Sequence, residues 1–136
     1  MSTTVSATHA PTPTAAALLR TGSAATVAAA VATAVVATAG QAVGISTDVS
    51  GMPIPASGFA VMTVIFAVLG LVIAVALRQF AHRPRTAWLR TTVALTVLSL
   101  VPDALADAAV STKLLLMLTH VVAAVIVIPA VARRLS

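Results

Sequence analysis

Four long apolar segments constrain this sequence more than any other feature. A helix needs about 20 residues to cross a hydrocarbon core of about 30 Å. Hydrophobic residues make up 60% of the chain and charged residues only 8%, whereas soluble domains carry about 25% charged residues. The sequence therefore predicts an all-α fold, a four-transmembrane-helix bundle in residues 23–136 behind a disordered cytoplasmic tail in residues 1–22. The predicted spans are about 24–43, 59–77, 88–105 and 114–132.

Two of these spans have unusual composition. The third is interrupted by Pro102, so we expect its helix to continue past the proline and to bend or loosen there. The first contains almost no large side chains, and small residues let helix backbones approach closely in lipid. We expect Gly40 and Gly44, four residues apart, to contribute to such close packing. Trp88, at the start of the third span, is expected to anchor the helix at the membrane interface.

Basic residues are distributed unevenly between the two ends of the spans. One end carries seven arginines, and the other carries Lys113 together with all three acids. Because short cytoplasmic loops are rich in Lys and Arg, both termini are predicted to be cytoplasmic. The basic connection between the second and third spans is expected to contact anionic headgroups. The arginines are Arg20, Arg78, Arg83, Arg85, Arg90, Arg133 and Arg134, and the acids are Asp48, Asp103 and Asp107.

Composition also excludes several classes of function. The net charge of +5 does not indicate a nucleic-acid partner, because aromatic residues are 3% of the chain and the basic residues lie at the ends of apolar segments. Cysteine is absent, which excludes disulfides and thiolate metal sites. One alternative stays open: residues 37–39 followed by Gly40 resemble a signal-peptide cleavage site, and cleavage there would leave three spans.

Five polar residues are candidates for a site near the predicted outer leaflet. His120 lies inside the fourth span, and an ionisable residue in a span is a functional candidate. Asp103 and Asp107 are four residues apart and would share a helical face with Ser99 nearby if the helix persists there. Together with His120 they would form a carboxylate–imidazole cluster for a cation or a proton. The structural alternative is a neutral His120 hydrogen-bonded across helices, with Gln41 in a separate interhelical hydrogen bond.

Several short motifs recur in a fixed order along the chain. They are Arg78-x-x-x-x-Arg-Pro84, Ser99-x-x-Pro102, Thr119-His120-x-x-Ala123 and Pro129-Ala-x-Ala-Arg-Arg134. In this respect the sequence, from about Ala24 to Leu135, resembles a family of short four-helix integral membrane proteins of unknown function, mostly actinobacterial. The resemblance implies the four-span fold and the plasma membrane, and it implies no activity.

No catalytic signature is recognisable, so the favoured interpretation is a non-enzymatic bundle without a cofactor. Its partners would be the lipid bilayer and a lipid, a small ligand or a protein bound at the predicted outer-leaflet side. One alternative is an oligomeric small transporter or channel subunit, although the first span lacks the acid on which small multidrug exporters rely. A second alternative is a metal- or proton-handling site at Asp103, Asp107 and His120.

Overall fold

The computed structural model describes residues 14–135 of the chain. Four helices account for most of this part of the chain, and all four are long and apolar enough to cross a membrane by length and composition. The prediction of an all-α chain with four spans is thus confirmed, while the side of the membrane on which each terminus lies stays a prediction. The elements are α1 (Ala15–Ala42), β1 (Asp48–Val49), β2 (Met52–Pro53), α2 (Ala56–Phe80), α3 (Pro84–Leu105) and α4 (Val110–Ala132).

Helix α1 begins nine residues earlier than the predicted first span. The Thr14 hydroxyl caps it by accepting a hydrogen bond from the Ala17 N–H at 3.2 Å. Residues 15–22 are helical and do not belong to a disordered tail. Within this segment Leu18 is fully buried and Gly22 packs against Leu71 of α2. The predicted tail in residues 1–13 lies outside the described residues.

Helix α3 extends beyond its predicted span at its start. It begins at Pro84 and runs through Pro102 to Leu105. Proline is favourable in the first helical turn, where its missing N–H has no intrahelical partner. Near the helix end, Pro102 removes a single helical hydrogen bond, so the continuation past Pro102 follows the prediction.

The four helices form a ring in which α1 packs against α2 and α4, and α3 packs mainly against α4. A stripe of small residues with one leucine at its start makes the buried face of α1, which is the most enclosed helix. Gly40 belongs to this stripe. Gly44 lies beyond the end of α1 with φ +87°, and a Cβ atom added there would meet no atom within 4 Å. The predicted packing role of Gly44 is therefore wrong. The buried stripe is Leu18, Gly22, Ala25, Ala29, Thr33, Ala37 and Gly40.

The best-enclosed core lies at the arginine end, which we define as the end of the bundle that carries the seven arginines. Trp88 is only 1% exposed there, and its indole Nε1–H donates to the Ile128 carbonyl of α4 at 3.0 Å. The sequence predicted Trp88 to be an interfacial anchor, but its ring is buried between the four helices. Trp88 is therefore a core residue. Its buried neighbours in this core are Leu18, Ala74, Val131, Ala132 and Leu135.

A small β-hairpin closes the acidic end, which we define as the opposite end with the three aspartates and Lys113. Strands β1 and β2 pair antiparallel around Ser50 and Gly51, both at positive φ, as a type I′ turn requires. The Ser50 N–H donates to the Asp107 carbonyl at 2.8 Å, and the Thr112 hydroxyl donates to the Ser46 carbonyl at 2.7 Å. The α1–α2 loop, which contains the hairpin, is thus hydrogen-bonded to the α3–α4 connection and to the start of α4.

Candidate functional site

An aspartate and a histidine from neighbouring helices meet inside the apolar part of the bundle. Asp103 lies in the last turn of α3, and His120 lies ten residues into α4, about 15 Å along the helix axis from its first residue. The imidazole Nδ1 is 2.8 Å from Asp103 Oδ2. Because α3 and α4 run antiparallel with a short connection, these two positions can face each other across the interface.

The contacts of His120 fix the tautomer of its ring. Nδ1 is also 3.0 Å from the Leu116 carbonyl oxygen, one turn back in α4. Both neighbours of Nδ1 are acceptors, so Nδ1 carries a proton and donates it. No protein atom in the described part of the chain hydrogen-bonds Nε2. Since the side chain is 36% exposed, Nε2 is free to contact a bound molecule.

The Asp103 carboxylate is more enclosed than the histidine that faces it. Its side chain is only 12% exposed, and within residues 14–135 Oδ2 receives no well-directed hydrogen bond. The short contact with Nδ1 is therefore mainly electrostatic, because the Nδ1–H bond is directed towards the Leu116 carbonyl. A buried carboxylate oxygen without a directed donor is uncommon in folded proteins, and this oxygen is covered by the surrounding protein atoms.

The other three candidates do not join this pair. The Ser99 hydroxyl donates to the Thr96 carbonyl of its own helix at 2.7 Å, and neither His120 nor the carbonyl freed by Pro102 receives it. The Gln41 amide, near the end of α1, donates at 3.0 Å to the Thr47 hydroxyl in the loop that follows, so the hydrogen bond expected between helices is instead made to a loop. These intrahelical and loop hydrogen bonds satisfy the polar groups locally.

Asp107 lies outside helical structure altogether. Helix α3 ends at Leu105, so Asp103 and Asp107 do not share a helical face, and the Asp107 side chain is exposed in the connection to α4. In residues 14–135, no three His, Cys, Asp or Glu side chains lie close enough together to hold a metal ion. The predicted three-residue cluster is thus not formed, and the described structure gives a two-residue Asp103–His120 pair.

An apolar groove lies between the same two helices, nearer the arginine end. It has a volume of about 370 Å³ and is open along one side. Ala124 lies one turn from His120, so the outer end of the groove starts about 6 Å along the helix axis from the histidine. The sequence analysis missed this groove because its lining residues have no polar signature. They are Val93, Thr96, Val97, Ala124, Val125, Ile128 and Pro129.

The pair and the groove together define what the site can do chemically. Nε2 accepts a hydrogen bond when the imidazole is neutral and donates one when it is protonated. A carboxylate and an imidazole in contact can also exchange a proton. The groove offers only van der Waals contacts to an apolar chain.

Comparison with known proteins supports the predicted class without adding an activity. The chain matches the family described as "Family of unknown function (DUF6069)" over residues 13–136. No curated protein and no solved structure matches it. The resemblance to a family of unknown function is thereby confirmed, whereas actinobacterial origin stays a prediction. Because the match spans nearly the whole sequence, the chain belongs to the DUF6069 family.

Proposed function

We propose that the protein is a non-enzymatic membrane protein that binds a lipid or a small lipid-soluble ligand at its α3–α4 face. The single observation that carries the proposal is the enclosed Asp103 carboxylate beside His120, whose Nε2 is free. Ionisable side chains inside a span are costly in lipid. A ligand headgroup that hydrogen-bonds to His120 Nε2 would satisfy that nitrogen, while the enclosed Asp103 carboxylate would hold the imidazole ring in place.

The groove supports an amphiphilic ligand over a purely polar one. It starts about 6 Å along α4 from His120, runs between α3 and α4, and has a mainly apolar lining. A molecule dissolved in the membrane can reach the groove from the side. Its apolar chain would lie between Val97 and Val125, and its polar headgroup would lie at His120. With both termini cytoplasmic, as the arginines predict, the headgroup would lie in the outer leaflet of a bacterial plasma membrane.

The same pair also supports a second candidate function, which is proton-coupled transport by an oligomer. Carboxylate and histidine side chains within spans are the residues that relay protons in pumps and transporters. Asp103 and His120 are in contact, so a proton can pass directly between them. This alternative predicts flux of a proton or a substrate, whereas a binding protein predicts only a retained ligand.

Co-purification tests the binding proposal directly. The full chain is purified in a mild detergent, and its bound lipids are extracted and identified by mass spectrometry. We expect His120→Ala and Asp103→Asn to reduce the retained ligand about tenfold or more, since a hydrogen bond to a charged group contributes about 1.5–3 kcal/mol. Ser99→Ala is the matched control on α3, because its hydroxyl bonds only within its own helix.

The groove is tested separately by filling it. Ala124→Leu adds volume inside the groove and is expected to displace the ligand, whereas Ala94→Leu adds the same volume on an exposed surface of α3 outside the groove. Equal ligand content in all variants would refute the binding proposal. Flux into proteoliposomes that is lost in both His120→Ala and Asp103→Asn, with no retained ligand, would favour the transport alternative.

A further inference from the structure

A second cleft lies at the arginine end of the bundle, far from the Asp103–His120 pair. It has a volume of about 370 Å³, within the range of small-ligand sites. It is formed where α2 ends at Phe80 and α3 begins at Pro84. The cleft is lined by Ala81, His82, Arg83, Thr86, Ala87 and Arg90.

The spacing of the lining residues explains the shape and charge of this cleft. Ala87 and Arg90 are three residues apart and so lie on one face of α3, and Arg83 is the N-cap residue immediately before the helix, four residues before Ala87. The small side chain of Ala87 leaves a space between the two longer arginines. Two guanidinium groups therefore flank one recess, with the His82 ring and the Thr86 hydroxyl beside it.

Neither arginine of the cleft is paired with an acid within residues 14–135. All three acids lie at the acidic end, and within residues 14–135 the Asp103–His120 contact is the sole acid–base pair. The cleft thus presents two unpaired guanidinium groups, which bind phosphate oxygens with several N–H donors each.

Another donor at this end has no acceptor. The Nη1 atom of Arg78, one turn before Ala81, is buried and makes no hydrogen bond to any described residue. A buried donor without an acceptor indicates a missing partner. The arginine end therefore has more donors than the residues in the described range 14–135 satisfy.

Exposed apolar side chains next to the cleft favour a lipid over a soluble anion. Phe80, adjacent in sequence to Ala81, is 81% exposed, and Leu89, adjacent to Arg90, is 37% exposed. Contact of such side chains with acyl chains is favourable, whereas their exposure to water is costly. The cleft consequently lies where apolar and polar surfaces of α2 and α3 meet, which is the level of phospholipid headgroups.

We propose that this cleft is a specific site for the phosphate of an anionic phospholipid, held by Arg83 and Arg90. The site is independent of the α3–α4 ligand and goes beyond general attraction of a basic loop to a charged surface. The anionic lipid binds in the leaflet at the arginine end, with its phosphate between the two guanidinium groups. Thr86 and His82 contribute further hydrogen bonds to the headgroup.

Native mass spectrometry of the full chain in mild detergent tests this site. Phosphatidylglycerol and phosphatidylcholine are added in equal amounts, and the ratio of the two bound lipids is measured. The double variant Arg83→Gln with Arg90→Gln is expected to lower this ratio about twentyfold. The matched control is Arg20→Gln with Arg133→Gln, which removes the same charge from two arginines at the same end that do not line the cleft and are exposed like Arg83 and Arg90. It is expected to change the ratio less than about threefold, because solvent screens exposed charges outside a binding site.

A lysine double variant and competition by inorganic phosphate complete the test of this site. The conservative double variant Arg83→Lys with Arg90→Lys should keep a clear preference for phosphatidylglycerol, and this variant decides the matter if the glutamine variant fails to fold by circular dichroism. Excess inorganic phosphate should leave the bound phosphatidylglycerol in place. Equal losses in the two glutamine double variants, no preference in the lysine variant, or displacement by inorganic phosphate would each overturn the proposal.

Discussion

Replacing Trp88 with alanine should destabilise the bundle strongly, although Leu89, the next residue in the sequence, is exposed. Trp88 is 1% exposed and packs in the core at the arginine end. In lipid the unfolded chain is also surrounded by apolar groups, so the cost comes from the cavity and the lost hydrogen bond. A residual cavity of about 100 Å³ at about 24 cal/mol per Å³ costs about 2.4 kcal/mol. Loss of the bond to the Ile128 carbonyl adds about 0.6 kcal/mol.

The expected loss of about 3 kcal/mol in the free energy of unfolding can be measured by titrating the protein from mild detergent into SDS. Far-UV circular dichroism follows the transition, since it does not depend on Trp88, the single tryptophan of the chain. The matched control is Leu89→Ala, whose side chain is 37% exposed and should cost less than about 1 kcal/mol. Similar losses in the two variants would refute the placement of Trp88 in the core and restore its role as an interfacial anchor.

Two further predictions concern close packing and topology. A Cβ atom at Gly40 would lie 2.9 Å from both terminal carbons of Leu115, so Gly40→Leu should destabilise the α1–α4 contact by about 1–3 kcal/mol in the same titration. Ala39→Leu, on the exposed side of α1, should cost far less, and equal costs would contradict the close approach. Single cysteines introduced at Ser50 in the hairpin turn and at Ser111 in the first turn of α4 should react with an impermeant reagent added outside the cell. A single cysteine at Thr86, in the first turn of α3, should not react, and the reverse pattern would invert the predicted topology.

The four helices were predictable because their cause is local in the sequence. A span needs an uninterrupted apolar length, and a Pro- or charge-containing break ends it. The start of α1 was marked locally only by Thr14, a residue type that favours the N-cap and that does cap the helix. The continuous helix through residues 15–22 also depends on burial of Leu18 and Gly22 against other helices, and such contacts leave no local pattern.

The candidate site was predictable only in its ionisable residues. An acid and a histidine within spans are rare enough to be noticed, and Asp103 and His120 do meet. Ser99 and Gln41 are polar residues whose hydrogen bonds are satisfied nearby. Their partners depend on backbone geometry at the helix end and in the loop, which spacing alone does not determine. Asp107 was misplaced because a shared face with Asp103 required the helix to continue past residue 105, where both the predicted span and α3 end.

The small residues of α1 have a consequence for the biosynthesis of the chain. This helix is the most enclosed of the four, with α2 on one side and α4 on the other. Alanine contributes little to membrane insertion, so α1 is retained chiefly by its neighbours. It is nevertheless synthesised first, and the surface that receives Gly40 is completed only when Leu115 of α4 has been translated. The first of the four helices to be synthesised is thus the last to be held in the membrane by its packing partners.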